Sequence, residues 1–123
     1  QLNGLLTGFM DIVLEHQGRY YVLDYKSNKL PLYTQDSIEA SMLSHRYEVQ
    51  YTLYILAVHR LLKSRLKHYN YEQHIGGVLY LYLRGIDQVG QGVYFNKPPL
   101  ALIEALDDAF KAVPSAVAVE GVA

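Results

Sequence analysis

The chain has 123 residues, of which 50% are hydrophobic and 19% are charged, and its formal net charge is -1. These values are typical of one small globular domain and exclude both a disordered chain and a strongly basic nucleic-acid binder. Cysteine is absent, which excludes disulfides, thiolate metal sites and iron–sulphur clusters. No apolar run reaches the ~20 residues needed to cross a bilayer, so we expect a cytoplasmic protein.

The first predicted elements are a β-hairpin and a long helical segment. Phe9 to Glu15 and Arg19 to Tyr25 are rich in Val, Ile, Leu and Tyr, and "HQGR" between them supplies a turn glycine. From about Gln35 to about His68 there is no Pro or Gly, and apolar residues recur at helical spacing. We expect one or two helices there, with a break near Ser44 and His45.

The second half predicts a strand and a C-terminal helix. "VLYLYL" is typical of a strand buried on both faces, and Val93 to Phe95 is a short edge strand after a loop from Gly85 to Gly92. The helix after "NKPP" should bury Leu102, Leu106 and Phe110. The order β-β-α-β-α indicates an α/β domain, a mixed β-sheet flanked by helices, with a right-handed crossover before the third strand. We assign residues 1–113 to the domain and 114–123 to a flexible tail.

The hairpin predicts a pair of facing carboxylates. With a two-residue turn at Gln17 and Gly18, Asp11 lies directly opposite Asp24, and the period of two places Lys26 on the same face. Two carboxylates about 5 Å apart repel by about 3 kcal/mol at an effective dielectric near ~20. A shared proton or a divalent cation would offset this repulsion, whereas an isolated charge on a strand is usually just solvated.

A cation held by oxygen ligands favours Mg²⁺ or Mn²⁺ over zinc. A lysine beside such a cation can stabilise charge on a phosphoryl oxygen, which suits hydrolysis of a phosphodiester bond. This interpretation depends on the register of the hairpin, because a three-residue loop would change the strand partners.

An ordered set of three motifs, G-F-x-D, D-Y-K-S-N and Q-x-x-x-Y, resembles the nuclease core of the PD-(D/E)xK superfamily, in its RecB-type branch. The segments "HRYEVQYTLYILAVHRLL" and "GGVLYLYLRGID" are also similar, so the resemblance covers nearly the whole chain. It implies a restriction-endonuclease-like core and a metal-dependent DNA exonuclease. Such an enzyme would hydrolyse DNA unwound by a helicase during double-strand-break repair and recombination.

The resemblance also implies roles for individual residues. Asp11 and Asp24 would bind Mg²⁺, or alternatively Mn²⁺, with the main-chain carbonyl of Tyr25 as a further ligand. Lys26 would be the catalytic lysine. Gln50 and Tyr54 match the Q-x-x-x-Y element, which supports the site and the DNA strand near it, and their spacing places both on one helical face.

The same resemblance implies ATP-driven motor domains elsewhere in a longer protein, and RecC and RecD as partner subunits. Relatives contribute a histidine from a helix upstream of the first aspartate, whereas this chain begins ten residues before Asp11. We therefore expect the first helix of the core to be missing from this fragment, and the isolated fragment to bind metal weakly or to be inactive. Two alternatives stay open, a stand-alone endonuclease or resolvase and a nuclease-fold module that serves as a scaffold.

The remaining aromatic and imidazole side chains have simpler interpretations. Four tyrosines are predicted to pack the sheet with their hydroxyls at its rim: Tyr20, Tyr21, Tyr80 and Tyr82. Four histidines lack metal-ligand spacing with the aspartates and are predicted at the surface or at element boundaries: His45, His59, His68 and His74. None of these residues is assigned a functional role.

Overall fold

A computed structural model of the protein describes residues 12–111, so Asp11 and the predicted tail lie outside the described residues. In chain order the elements are strands β1 (Ile12–His16) and β2 (Arg19–Lys26), helices α1 (Gln35–Ser44), α2 (Tyr47–Arg65) and α3 (Tyr71–His74), strands β3 (Ile75–Tyr82) and β4 (Val93–Asn96), and helix α4 (Leu100–Lys111). Within this range, no helix has the length and apolar character needed to cross a membrane.

The hairpin of β1 and β2 has the predicted two-residue turn. Gln17 and Gly18 have φ angles of 53° and 80°, and positive φ at both central residues gives the turn whose twist matches that of the flanking strands. The described pairs have the predicted register, with Val13 opposite Val22. This part of the sequence interpretation is therefore confirmed.

The four strands form one mixed sheet in the order β1-β2-β3-β4. β2 pairs with β3 in parallel, and the two outer pairs are antiparallel. The chain reaches β3 from β2 through the helices, as parallel pairing requires. α1 and α2 cover one face of the sheet, where Ile38, Ile55 and Tyr80 are fully buried. The expected α/β class, a mixed sheet flanked by helices, is confirmed.

β3 differs from its prediction in two ways. It begins at Ile75, earlier than expected. The missing side chain of Gly76 leaves room for the ring of Tyr21, since a Cβ there would lie 2.3 Å from that ring. The strand is also not buried equally on both faces. Val78, Tyr80 and Tyr82 are inaccessible, whereas the alternate residues Leu79 and Leu81 are half-buried.

The long helical segment breaks where the sequence predicts. α1 begins after Thr34, whose hydroxyl accepts a hydrogen bond from the Ser37 amide at 3.4 Å, and it ends at Ser44. α2 begins two residues after His45. Between the two helices Arg46 has a φ of 58°, a left-handed conformation that is uncommon for a residue with a side chain. This conformation lets the chain change direction between the two helices within one residue.

The predicted buried face of α4 is partly wrong. Leu102 is 44% exposed, and the residues that are buried are Ile103 and Asp107. An ion pair accounts for the burial of Asp107, whose carboxylate accepts from Nε of Arg60 on α2 and whose main-chain carbonyl accepts from Nη2 of Arg60 at 3.2 Å. Burial alone would raise the pKa of Asp107, but Arg60 and then Lys111 outweigh burial and lower it.

Two predicted surface or rim positions are buried instead. His59 is 5% exposed, and its Nδ1 lies 2.6 Å from the hydroxyl of Tyr69. Burial lowers the pKa of His59, so the neutral ring is favoured. The hydroxyl of Tyr82 does not reach the rim of the sheet, because it donates to Ser41 Oγ at 3.1 Å within the core.

The Arg60–Asp107 pair predicts a difference between two adjacent aspartates. Asp107→Asn should lower the free energy of unfolding by about 2 kcal/mol, because it leaves the Arg60 guanidinium without its charged partner. Asp108→Asn should change it by less than about 0.5 kcal/mol, since the Asp108 side chain is 81% exposed. Denaturant unfolding of both variants checks this, and equal losses would contradict the assignment.

Candidate active site

The candidate site lies where the parallel strands β2 and β3 end. Asp24 is the cross-strand partner of Tyr80, and Lys26 is the partner of Tyr82. Since partners in a sheet share a face, all four side chains are directed toward the covering helices. The carboxyl ends of parallel strands are where open α/β sheets generally bind ligands.

Asp24 and Lys26 form an ion pair that is largely removed from water. The Nζ of Lys26 lies 3.3 Å from Oδ2 of Asp24, and the two side chains are 16% and 8% exposed. A carboxylate at this depth needs a nearby cation, because desolvation disfavours its charged form. The prediction that the two groups share a face is confirmed.

Two aromatic rings lie close to the Lys26 ammonium. The centroid of the Tyr47 ring lies 4.1 Å from Nζ, and that of Tyr80 lies 5.4 Å away. Both rings are within the ~6 Å at which a cation is attracted by an aromatic face. The ammonium is therefore held among one carboxylate and two rings.

Gln50 and Tyr54 lie on the face of α2 that covers this region. The Tyr80 hydroxyl donates to Oε1 of Gln50 at 2.6 Å. Burial, and then the charge of Asp24, raise the pKa of Tyr80, so its hydroxyl remains a donor. Tyr54 is 8% exposed and interacts electrostatically with Tyr80. The structure thus brings Gln50 and Tyr54 to Tyr80 on β3, the strand partner of Asp24.

The remaining predicted site residues are placed less directly. Asp11 lies outside the described residues. The described part of the hairpin has the register that predicts Asp11 opposite Asp24. Tyr25 lies between Asp24 and Lys26 and is 40% exposed. Among residues 12–111, no three His, Asp or Glu side chains are grouped closely enough to bind a metal ion.

This region also contains three residues to which the sequence patterns assign no individual role: Tyr47, Tyr80 and Asn28. Tyr47 precedes Gln50 by three residues and so shares its helical face, a signal that could have found it. Asn28 belongs to the D-Y-K-S-N motif, and its Nδ2 donates to the Tyr47 hydroxyl at 3.3 Å. Tyr80 is predicted to pack the sheet with its hydroxyl at the rim, but the residue is fully buried as the strand partner of Asp24, and its hydroxyl bonds to Gln50.

Comparison of the sequence with known proteins identifies the family of the chain. The profile of the PD-(D/E)XK nuclease superfamily matches residues 2–120, and the chain belongs to this superfamily. The proteins to which the chain is similar in sequence include RecB proteins. "RecBCD enzyme subunit RecB" of Escherichia coli (strain K12) is 50% identical over 116 residues, which cover 89% of this chain and 10% of that protein.

Two further relatives carry the same name. The protein of Haemophilus influenzae (strain ATCC 51907 / DSM 11121 / KW20 / Rd) is 43% identical over 115 residues, covering 89% of this chain and 10% of the relative. That of Mycobacterium tuberculosis (strain ATCC 25618 / H37Rv) is 38% identical over 120 residues, covering 87% and 11%. The chain thus spans about a tenth of the length of the curated relatives it matches.

Nucleases of this superfamily generally use divalent metal ions. The groups available here fit such an ion in kind, because a carboxylate at Asp24 and a main-chain carbonyl at Tyr25 are hard oxygen donors. The chain has no cysteine, and so no thiolate that would favour a softer metal.

The contact between Tyr80 and Gln50 predicts a measurable coupling. In a double-mutant cycle, Tyr80→Phe and Gln50→Ala should interact by about 1 kcal/mol in the free energy of unfolding, since each removes the same hydrogen bond. Tyr82→Phe is the matched control, because that equally buried tyrosine bonds to Ser41 instead. Denaturant unfolding measures both cycles, and equal coupling of Gln50 to the two tyrosines would refute the contact.

Proposed function

We propose that this chain is the nuclease domain of a RecB-type subunit, and that it cleaves phosphodiester bonds of DNA in a metal-dependent reaction. The observation that carries the proposal is the Asp24–Lys26 pair at the end of β2, with 3.3 Å between ammonium and carboxylate, in a chain of this nuclease superfamily. The site and its supporting elements are contained in the proposed domain of residues 1–113.

Asp24, Asp11 and the main-chain carbonyl of Tyr25 are the proposed ligands of the metal ion. Three oxygen donors suit Mg²⁺, with Mn²⁺ as the alternative. When bound, such an ion lowers the pKa of a coordinated water and polarises a phosphoryl oxygen. The confirmed register of the hairpin supports the pairing of the two aspartates, because the same turn would continue it to Asp11.

Lys26 is proposed to stabilise the negative charge that develops on the phosphoryl group. Its ammonium is fixed beside Asp24, so little reorganisation is needed when the charge appears. The partial enclosure of the pair strengthens this interaction, because few water molecules screen it. We further propose that Lys26 holds the attacking water by donating a hydrogen bond to it.

Gln50 is proposed to contact the DNA strand through its amide nitrogen. Its Oε1 already accepts from Tyr80, which directs Nε2 away from that contact and leaves two N–H donors for an acceptor such as a phosphate oxygen. Tyr54 supports this arrangement from the next turn of α2, where it is largely buried beside Tyr80. Phosphate contacts of this kind position a strand without reading its sequence.

The setting of the reaction is also a proposal. The names of the relatives describe a subunit of the RecBCD enzyme. We propose that the domain acts as an exonuclease on DNA unwound by such an enzyme during double-strand-break repair and recombination. RecC and RecD are then the expected partner subunits, and ATP would serve motor domains outside this chain. The same names favour a subunit over a stand-alone endonuclease or resolvase.

The test is cleavage of single-stranded DNA by the full-length protein and its variants in Mg²⁺. Lys26→Ala and Asp24→Asn should each lower the rate at least about 100-fold, because each removes a group that stabilises the charged transition state. A metal chelator should abolish cleavage, and Mg²⁺ or Mn²⁺ should restore it.

Lys63→Ala is the matched control, since Lys63 is exposed near the far end of α2. This variant should cleave within about threefold of the unaltered protein, as expected for a surface lysine outside the site. Unchanged cleavage by Lys26→Ala would refute the proposed role of the lysine. Undiminished cleavage after chelation would refute metal dependence.

A further inference from the structure

The ammonium of Lys26 contacts the ring of Tyr47 in addition to its ion-pair partner Asp24. A lysine has a flexible four-carbon stem, so a contact with one carboxylate leaves it free to rotate around that carboxylate. Here Nζ also lies 4.1 Å from the centroid of Tyr47, on a helix that covers the sheet. A ring on that side restricts the ammonium to the position beside Asp24.

The Tyr47 ring is itself fixed by its neighbours. Its hydroxyl accepts from Asn28 Nδ2 at 3.3 Å, and Asn28 follows Lys26 by two residues. The ring of His45 stacks on it, with centroids 5.1 Å apart and an angle of 13° between the planes. Tyr80 packs at a tilt, with centroids 5.6 Å apart. The ring therefore cannot follow the ammonium if the ammonium moves.

The backbone before α2 makes this arrangement possible. Arg46 adopts a φ of 58°, and no side chain caps the helix at this residue. A non-glycine residue in this conformation is maintained only where the surrounding contacts determine it. The conformation brings His45 and Tyr47, which flank Arg46, into a face-to-face stack.

We propose that Tyr47 is a positioning residue for Lys26, and that its ring holds the ammonium beside Asp24 in the orientation that phosphodiester cleavage requires. This assignment rests on the proposed nuclease function and adds to it a residue outside the three sequence motifs. The ring supplies the effect through its electron-rich face, and the hydroxyl serves to orient the ring.

The experiment compares Tyr47→Phe with Tyr47→Leu in steady-state cleavage of single-stranded DNA. Tyr47→Leu removes the aromatic face and should lower kcat roughly tenfold or more, with KM changed less than about twofold, because misplacement of a reacting group affects the chemical step. Tyr47→Phe keeps the face and should retain kcat within about threefold. Should Tyr47→Leu fail to fold, Tyr47→Met, which conserves more of the volume, carries the same expectation.

Tyr94→Leu separates positioning from packing. Tyr94 is another half-buried tyrosine against the same core, and its hydroxyl lies 3.1 Å from that of Tyr51. Among the described rings, only those of Tyr47 and Tyr80 lie within cation–π distance of Lys26. Tyr94→Leu should therefore keep kcat within about threefold, although it too removes aromatic packing.

A second measurement does not depend on cleavage. Labelling of lysines with an amine-reactive reagent, read by mass spectrometry, should show faster modification of Lys26 in Tyr47→Leu. The rate should be unchanged in Tyr47→Phe and Tyr94→Leu, since both keep the ring over Nζ.

The outcomes distinguish the two proposals. If Lys26→Ala cleaves as well as the unaltered protein, the nuclease role of the lysine is wrong. If Lys26→Ala is inactive but Tyr47→Leu is fully active, or if Tyr47→Leu and Tyr94→Leu lose kcat equally, the positioning role is refuted. A change confined to KM, or a loss of kcat in Tyr47→Phe as large as in Tyr47→Leu, would also overturn it.

Discussion

A carboxylate almost withdrawn from water lies at the centre of the site, and an ammonium group lies beside it. Asp24 is 5% exposed, and the charge of a buried carboxylate is maintained only where cations or hydrogen-bond donors offset the lost hydration. Lys26 comes from the next position on the same face of β2 and brings Nζ to 3.3 Å. The elements around this pair keep it in place and limit its contact with solvent.

The surroundings of the Asp24–Lys26 pair depend on the parallel pairing of β2 with β3. This pairing sets Tyr80 beside Asp24, and the Tyr80 hydroxyl then fixes Gln50 on α2. α2 in turn carries Tyr47 over the lysine. At its other end the helix is tied to α4 through Arg60 and Asp107. One helix thus connects the packing of the domain to the geometry of the site.

The local parts of this arrangement could be predicted from the sequence. A two-residue turn fixes the register of a hairpin, and the alternation of a strand fixes which side chains share a face, so the Asp24–Lys26 pair was accessible from spacing alone. The break between α1 and α2 near Ser44 and His45 is a further sequence prediction that the structure confirms. The resemblance to a nuclease family added Gln50 and Tyr54.

The parts that were missed depend on contacts between distant segments. Tyr80 lies beside Asp24 only because of a parallel register across more than fifty residues, which no local pattern specifies. The buried Asp107 on α4 was missed because hydrophobic periodicity does not report an aspartate that is paired with an arginine on another helix. Helix α3 is a single turn, too short to produce a periodic signal.

The central proposal is a divalent cation held beside Lys26 by Asp11, Asp24 and the Tyr25 carbonyl. The most direct measurement is anomalous diffraction at the manganese absorption edge from crystals of the protein grown with Mn²⁺. We expect an anomalous peak between the carboxylates of Asp11 and Asp24, and the loss of that peak in Asp24→Asn. A peak that persists in Asp24→Asn, or manganese bound only at other residues, would contradict the proposal.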